Sequence, residues 1–364
     1  MRLLVDVRKL SDKPSGIGYY TYNFLESILE ESFEIILVSD VIQSKELNEL
    51  KDKGVEIICY GKKVDKNIEV IKYFKFIQQV INSSLPDIFW EPNNIVPIKI
   101  INPYGKIVVT IHDLFPLTDK KFYGIIYRIY FAYSLKNTIR ISDGLIYVSQ
   151  ETKKQVEYRY KRARKIKNFI SYNIVKGSYE KSIENVDNNY FLFIGNIEKR
   201  KGVDILINAF ERYKKEGGER NLYLAGALRD QTILMLIEKL NESMGDCIKY
   251  LGYIDNEEKM QLLAECSAFV FPSKAEGFGI PPIEALKHDK ACIVSDINIF
   301  KEILGDSVTY FRLSDDDNKS IESLKEKLIT YSKPCESKIR SINKKYSKNE
   351  LSDKLIIFFR NEVI

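Results

Sequence analysis

Short apolar runs alternate with helix-patterned segments along nearly the whole chain. That alternation confines the fold to parallel sheets covered by helices on both faces, the α/β class. Strands are expected at 3–7, 34–38, 55–60, 87–91, 106–111 and 144–148, with helices at about 19–30, 67–82, 123–141 and 151–160. A polar stretch, 176–189, reads as a linker. Beyond it a second series of strands is expected at 190–194, 222–225, 248–251, 268–271, 291–295 and 308–311. Two such series in 364 residues give two Rossmann-like domains, each long enough for its own core, with expected bounds 1–175 and 176–345.

Apolar content of 45% and charged content of 29% are those of an ordinary soluble protein. The opening Met1-Arg-Leu-Leu-Val-Asp-Val7 is too short an apolar run for a signal peptide, and the richest apolar stretch, 123–135, is broken by Arg128, so no membrane span is expected. The cysteines, at 59, 247, 266, 292 and 335, are odd in number and never in a C-x-x-C pair, which fits reduced thiols in a cytoplasm. Residues 1–172 carry 27 lysines and arginines against 20 acidic residues. The excess gathers in Lys153, Lys154, Arg159, Lys161, Arg162, Arg164, Lys165 and Lys167. Two readings stand: a solvated helix face, or an electrostatic foot on an anionic membrane, where each basic residue contributes about 1 kcal/mol. No recognisable nucleic-acid module accompanies the block, so nucleic acid is not an expected partner.

The chemistry concentrates in Ser267-Ala-Phe-Val-Phe-Pro-Ser-Lys-Ala-Glu-Gly-Phe-Gly-Ile-Pro-Pro-Ile-Glu-Ala-Leu286. Strand, glycine loop and helix follow one another, with Pro281 and Pro282 placed for the first helical turn. Gly277 and Gly279 let a ligand approach the backbone, and the free N–H groups and helix dipole favour an anion. Glu276 and Glu284 bracket the loop, and side chains lean toward a helix N-terminus, so Glu284 is expected over the same mouth as Glu276. Carboxylates beside an anion site suit hydroxyl donors, which together describe a nucleotide or sugar nucleotide. The bland alternative is that both merely favour the helix N-terminus.

Three further units bear on a site. Glu198-Lys-Arg-Lys-Gly202 puts Arg200 and Lys201 just before a helix at 203–210, where cations oppose the dipole unless a diphosphate lies between them. Ser15-Gly-Ile-Gly18 is a loop whose Gly16 and Gly18 serve either a tight turn or a ligand contact; it lacks the third glycine of the dinucleotide fingerprint. His112, in Thr110-Ile-His-Asp-Leu-Phe-Pro116, falls at a strand's carboxyl end, where α/β sheets bind ligands, or is a structural histidine. Asp315-Asp-Asp317 reads as a helix cap rather than a metal site, and His288 as a surface residue.

In order along the chain, Ser15-Gly-Ile-Gly-Tyr-Tyr-Thr21, Ile111-His-Asp-Leu-Phe-Pro-Leu117, Tyr147-Val-Ser-Gln-Glu-Thr152, Gly195-Asn-Ile-Glu-Lys-Arg-Lys-Gly202, Leu251-Gly-Tyr253 and Phe271-Pro-Ser-Lys-Ala-Glu-Gly-Phe-Gly279 with Glu284 resemble the retaining GT-B glycosyltransferases of the family 4 type, marked by Glu-x7-Glu. The resemblance implies two facing Rossmann-like domains with a deep cleft between them, and a C-terminal segment, about 346–364, returning to the first. It implies that Arg200 and Lys201 hold the donor diphosphate and that the amides of Gly277, Phe278 and Gly279 touch donor hydroxyls or phosphate. Glu276 would bind the transferred sugar, Glu284 the ribose, and the Tyr253 loop would lie near the base. Gly16 and Gly18 would let the first domain approach the phosphates, and His112 would sit beside the reacting bond. Retention without a metal or other cofactor is implied.

The Ile111-His-Asp-Leu-Phe-Pro116 variant is similar to members using GDP-mannose, with dTDP-rhamnose or a UDP-sugar next. The implied acceptor is a lipid-linked bacterial polysaccharide such as O-antigen, at the inner face of the cytoplasmic membrane. A sugar-nucleotide epimerase and a non-catalytic scaffold are the alternatives. The sequence leaves the oligomeric state open. It departs from the family pattern at Lys287-His-Asp-Lys-Ala291 and Asn173-Ile-Val-Lys-Gly177.

Overall fold

Leu3, Leu4 and Val5 have no exposed surface, as a strand covered on both faces requires, and they form the middle of β1 (Arg2–Asp6) in the computed structural model. The structure describes all residues except 30, 32, 65–66, 120–121, 177–186 and 364. Strand β1 pairs in parallel with β2 (Glu34–Ser39) on one side and β4 (Ile88–Glu91) on the other. With β3 (Glu56–Cys59), β5 (Lys106–Ile111), β6 (Gly144–Tyr147) and β7 (Lys167–Ile170), the sheet runs β3-β2-β1-β4-β5-β6-β7. The chain divides into one unit of Met1–Ile174 with Tyr346–Ile364 and another of Val175–Lys345. Most of the 176–189 stretch expected as a linker lies outside the described residues.

The second unit repeats the plan with β8 (Tyr190–Ile194), β9 (Asn221–Ala225), β10 (Ile248–Gly252), β11 (Ala268–Phe271), β12 (Ala291–Ser295) and β13 (Thr309–Phe311), in the order β10-β9-β8-β11-β12-β13. Strand order reverses between β1 and β4 in one unit and between β8 and β11 in the other. Those reversals open crevices at the carboxyl ends of the strands, where doubly wound sheets hold ligands.

Two local expectations are corrected. Gly16 and Gly18 are not loop residues: the helix Gly16–Ile28 begins at Gly16, and Ser15 caps it by accepting from the Gly18 N–H (3.4 Å). The basic block is not one helix face either. It spans the helix Gln150–Arg159, a 3-10 turn Lys161–Lys165 and β7, an unexpected strand at the sheet's edge. The helix Lys348–Ile357 and the wider turn Phe358–Val363 pack in the first unit, where Phe359 meets Trp90 (5.6 Å) and Phe358 stacks on Phe169 (5.5 Å).

Candidate functional site

The loops that follow β8 and β11 flank the crevice of the second unit, and one glycine lets them touch. Gly202 takes the left-handed conformation (φ 69°) between the turn Lys199–Lys201 and the helix Val203–Lys215. A Cβ there would lie 2.0 Å from the Pro272 carbonyl oxygen. The Lys274 N–H donates to the Arg200 carbonyl (3.0 Å), and Arg200 Nη1 donates to the Ala275 carbonyl (3.1 Å). Arg200 Nη2 also pairs with Glu198 (2.6 Å).

Lys201 Nζ donates to Glu276 Oε1 at 2.6 Å and lies over the Phe271 ring (5.3 Å). The structure therefore brings Arg200, Lys201 and Glu276 together, although 75 residues separate the last two. Glu276 is only 9% exposed, and this lysine supplies the opposite charge that a nearly buried carboxylate needs. The unfavourable placement of cations before the helix is met here by Glu198 and Glu276.

Beyond Glu276 the chain turns at Gly279, also left-handed (φ 101°), into the helix Ile280–Lys287, with Pro281 and Pro282 in its first turn. A Cβ at Gly279 would stand 2.6 Å from the Phe300 ring. The Phe278 side chain is buried, leaving its backbone as the group a ligand could meet. Glu284 accepts from Lys259 Nζ (2.7 Å), so the two glutamates hold different lysines. Tyr253 is exposed at the end of β10. Sequence reasoning missed Lys259, on the helix Asn256–Glu265, and Glu198 as the Arg200 partner.

Gly16, Gly18 and His112 belong to the first unit. A Cβ at Gly18 would lie 2.2 Å from the Lys9 carbonyl oxygen, whereas one at Gly16 would meet nothing within 4 Å. The His112 ring is buried against Tyr20 (4.9 Å, edge-on), and Nε2 lies 2.8 Å from the Pro92 carbonyl. Burial, only partly offset by that hydrogen bond, pushes its pKa down to about 4. A carbonyl only accepts, so Nε2 carries the proton and Nδ1 of the neutral ring is an acceptor. Thr152 Oγ1 donates to the His112 carbonyl (3.1 Å), tying two of the sequence motifs together.

A buried charge cluster that sequence reasoning missed lies at the ends of β1 and β4. Asp6 accepts from the Tyr73 hydroxyl (2.8 Å) and faces Arg8 (3.8 Å). Glu91, wholly buried, has its carboxyl held well above the usual range by burial and by the charge of Asp6. The only available hint is a glutamate closing the otherwise apolar Ile88-Phe-Trp-Glu91. Arg8, Lys9, Lys13, Lys63 and Asn94 line a cavity of about 470 Å³ there.

Asp316 caps the helix Asp317–Thr330 by accepting from the Asn318 N–H (3.0 Å). Among the described residues no group of three or more His, Cys, Asp or Glu is arranged to hold a metal ion. His288 is partly exposed, with Nε2 3.2 Å from Met260 Sδ. Its neighbour Lys287 is buried, with its ammonium on the Val175 carbonyl and its pKa lowered to about 8 by burial.

Two Rossmann-like units, each built on a parallel sheet, are the architecture of the GT-B fold. Residues 178–348 match the family of glycosyl transferases group 1; the chain is a glycosyltransferase of the GT-B fold whose second unit carries that domain. The O-antigen chain mannosyltransferase RfbU of Salmonella typhimurium is 25% identical over 88% of this chain and 89% of its own length. The serotype-specific mannosyltransferase WbdA of Escherichia coli is 26% identical over 91% of this chain, which spans 44% of WbdA. The crystal structure of Anabaena Alr3699/HepE in complex with UDP and glucose superposes with a TM-score of 0.70 over 98% of each chain, at 15% identity.

Proposed function

We propose that this glycosyltransferase moves a sugar, mannose first, from a nucleoside diphosphate donor, GDP first, to a lipid-linked bacterial polysaccharide such as O-antigen. The observation that carries the reading is the cluster of Arg200, Lys201 and Glu276 beside a helix N-terminus at the second unit's topological switch point. The donor sugar is inferred from RfbU and WbdA, both mannosyltransferases by name. The UDP held by HepE keeps a UDP-sugar as the next donor to try, followed by dTDP-rhamnose.

On this reading Arg200 and Lys201 take the diphosphate oxygens, Arg200 as a fork and Lys201 as a mobile point charge. Donor binding replaces Glu276 by phosphate as the partner of Lys201, and Glu276 then accepts from hydroxyls of the transferred sugar. Glu284 accepts from the ribose, and Tyr253 lies near the base. The amides of Gly277, Phe278 and Gly279 contact hydroxyls or phosphate, Gly16 and Gly18 admit the phosphates, and His112 Nδ1 accepts from a sugar hydroxyl.

The bond from C1 to the departing phosphate oxygen breaks, and the acceptor oxygen bonds C1 from the same face, retaining configuration. The acceptor proton passes to that phosphate oxygen. No metal is invoked, because the two cations and the helix N-terminus stabilise the charge that develops on the leaving group. The chain would work in the cytoplasm at the inner membrane face, where a lipid-linked acceptor lies.

A thermal-shift screen against GDP, UDP, dTDP, ADP and their sugar conjugates without added metal tests the donor. GDP and GDP-mannose should raise the melting temperature most, since ligands of the native state alone stabilise it. No response to any nucleotide would overturn the reading. Release of an isomerised sugar nucleotide with no acceptor present would favour an epimerase instead.

A further inference from the structure

Helix Ile125–Ile141 is apolar on two faces, and only one of them is used by the fold. Phe131, Leu135 and Ile139 are buried in the first unit's core. Positions 126, 129, 133, 136 and 140 advance by alternate steps of three and four, so they form one stripe on the opposite face. Its first part is apolar and exposed: Ile126 at 80%, Ile129 at 63% and Tyr133 at 67%, with Ile125 alongside and Phe122 exposed in the turn before the helix. Its last part is basic, Lys136 and Arg140.

The turn Lys161–Lys165 enlarges that basic end. Arg162 Nε and Nη2 donate to the Ile139 and Arg140 carbonyls (3.4 and 3.2 Å), closing the helix C-terminus with positive charge. Tyr133, Lys136, Arg140, Tyr160, Lys161 and Arg162 line a cavity of about 510 Å³. Single exposed apolar residues need no partner, but a run of branched and aromatic side chains over more than two turns marks a surface that is covered in use.

Charge decides what covers it. A second copy meeting this face across a two-fold axis would set Lys136, Arg140, Lys161 and Arg162 against the partner's isoleucines where the helices run antiparallel, or against the same cations where they run parallel, and either way leaves them without counter-charge. An anionic lipid surface complements both ends of the stripe, hydrocarbon against the isoleucines and phosphates against the cations. No helix among the described residues is long and apolar enough to cross a membrane, and this one is tied to the core on its other face.

We propose that the outer face of helix Ile125–Ile141 docks the chain on an anionic bilayer, with Ile125, Ile126 and Ile129 entering the interface and Lys136, Arg140, Lys161 and Arg162 holding phosphate headgroups. The proposal extends the reading of a lipid-linked acceptor by assigning the surface that reaches it. It differs from attraction by the basic block alone, because insertion of apolar side chains survives high salt.

The test is co-sedimentation with phosphatidylcholine vesicles with and without about one-third phosphatidylglycerol. The full chain should bind the anionic vesicles. Ile126→Asp with Ile129→Asp should weaken binding at least tenfold at low and at high salt, and Lys136→Ser with Arg140→Ser chiefly at low salt. In Ile126→Trp, added vesicles should shift the new fluorophore's emission to the blue against the constant signal of buried Trp90. Absence of vesicle binding, binding indifferent to the isoleucine changes, or a new tryptophan that stays in water would each overturn the proposal. So would stripe variants that change only the oligomeric state. Melting temperatures check that the variants fold; a wild type that binds vesicles but no nucleotide would count against the proposed function and leave the docking surface standing.

Discussion

His112 is neutral in the folded chain because burial denies its charged form water. Its pKa, about 4 when folded against about 6.5 unfolded, means the unfolded chain takes a proton between those values that the folded chain refuses. The contribution of His112 to stability is therefore present above pH about 6.5 and falls as pH drops to about 4, by about 3 kcal/mol in total. Glu91, held protonated, works in the opposite direction, since its folded pKa is raised. The check is a difference: urea unfolding of wild type and His112→Gln, followed by Trp90 emission, should show a flatter dependence in the variant across that window. Equal slopes would show that His112 titrates normally.

Glu276 allows a second prediction at this scale. Glu276→Gln keeps the shape and releases Lys201, so nucleotide affinity should change by less than about fivefold while sugar transfer falls by about 10²-fold or more. Lys201→Ala should instead weaken nucleotide binding, and it also strands a nearly buried carboxylate at a cost of about 1–3 kcal/mol. Calorimetric titration with nucleotide beside steady-state turnover separates the two outcomes. Equal losses of affinity and rate in both variants would refute the division of labour.

Among elements, the helix Gly16–Ile28 carries two glycines that differ in the room a side chain would find. Gly18→Ala drives a Cβ to 2.2 Å from the Lys9 carbonyl oxygen, and backbone must move, so a loss of about 2 kcal/mol or more is expected. Gly16→Ala meets open space and should leave stability within about 0.5 kcal/mol. If Gly16 admits the donor phosphates, the same change should lower kcat/KM without lowering Tm, and unchanged kinetics would remove it from the site. The two glycines look alike in sequence, since the separating contact comes from Lys9 on a preceding turn. Strands β5, β8, β11 and β12 were legible to the residue because each is a largely apolar run between turn signals. Strand β7, Lys-Asn-Phe-Ile, escaped: it is a half-polar edge strand inside a charged block, and only the neighbouring β6 makes it a strand.

For the whole molecule, local patterns revealed the alternation and the loop glycines, but not the partners that long-range packing supplies. Lys259 reaches Glu284 because two helices of the second unit meet, and Glu91 joins Asp6 and Arg8 because the ends of β1 and β4 lie side by side; no spacing in the sequence encodes those meetings. The chain's end behaves likewise: residues 346–364 belong to the first unit, after 171 residues that belong to the second, Val175–Lys345. There Phe359 has no exposed surface and lies against Trp90, the chain's single tryptophan. Phe359→Ala removes a buried ring beside it and should cost the first unit about 3–5 kcal/mol. Trp90 emission should then report an earlier urea midpoint. The nucleotide-induced stabilisation of the second unit should persist wherever both units remain folded. An unchanged Trp90 midpoint would mean that the terminal segment contributes little to the first unit's stability.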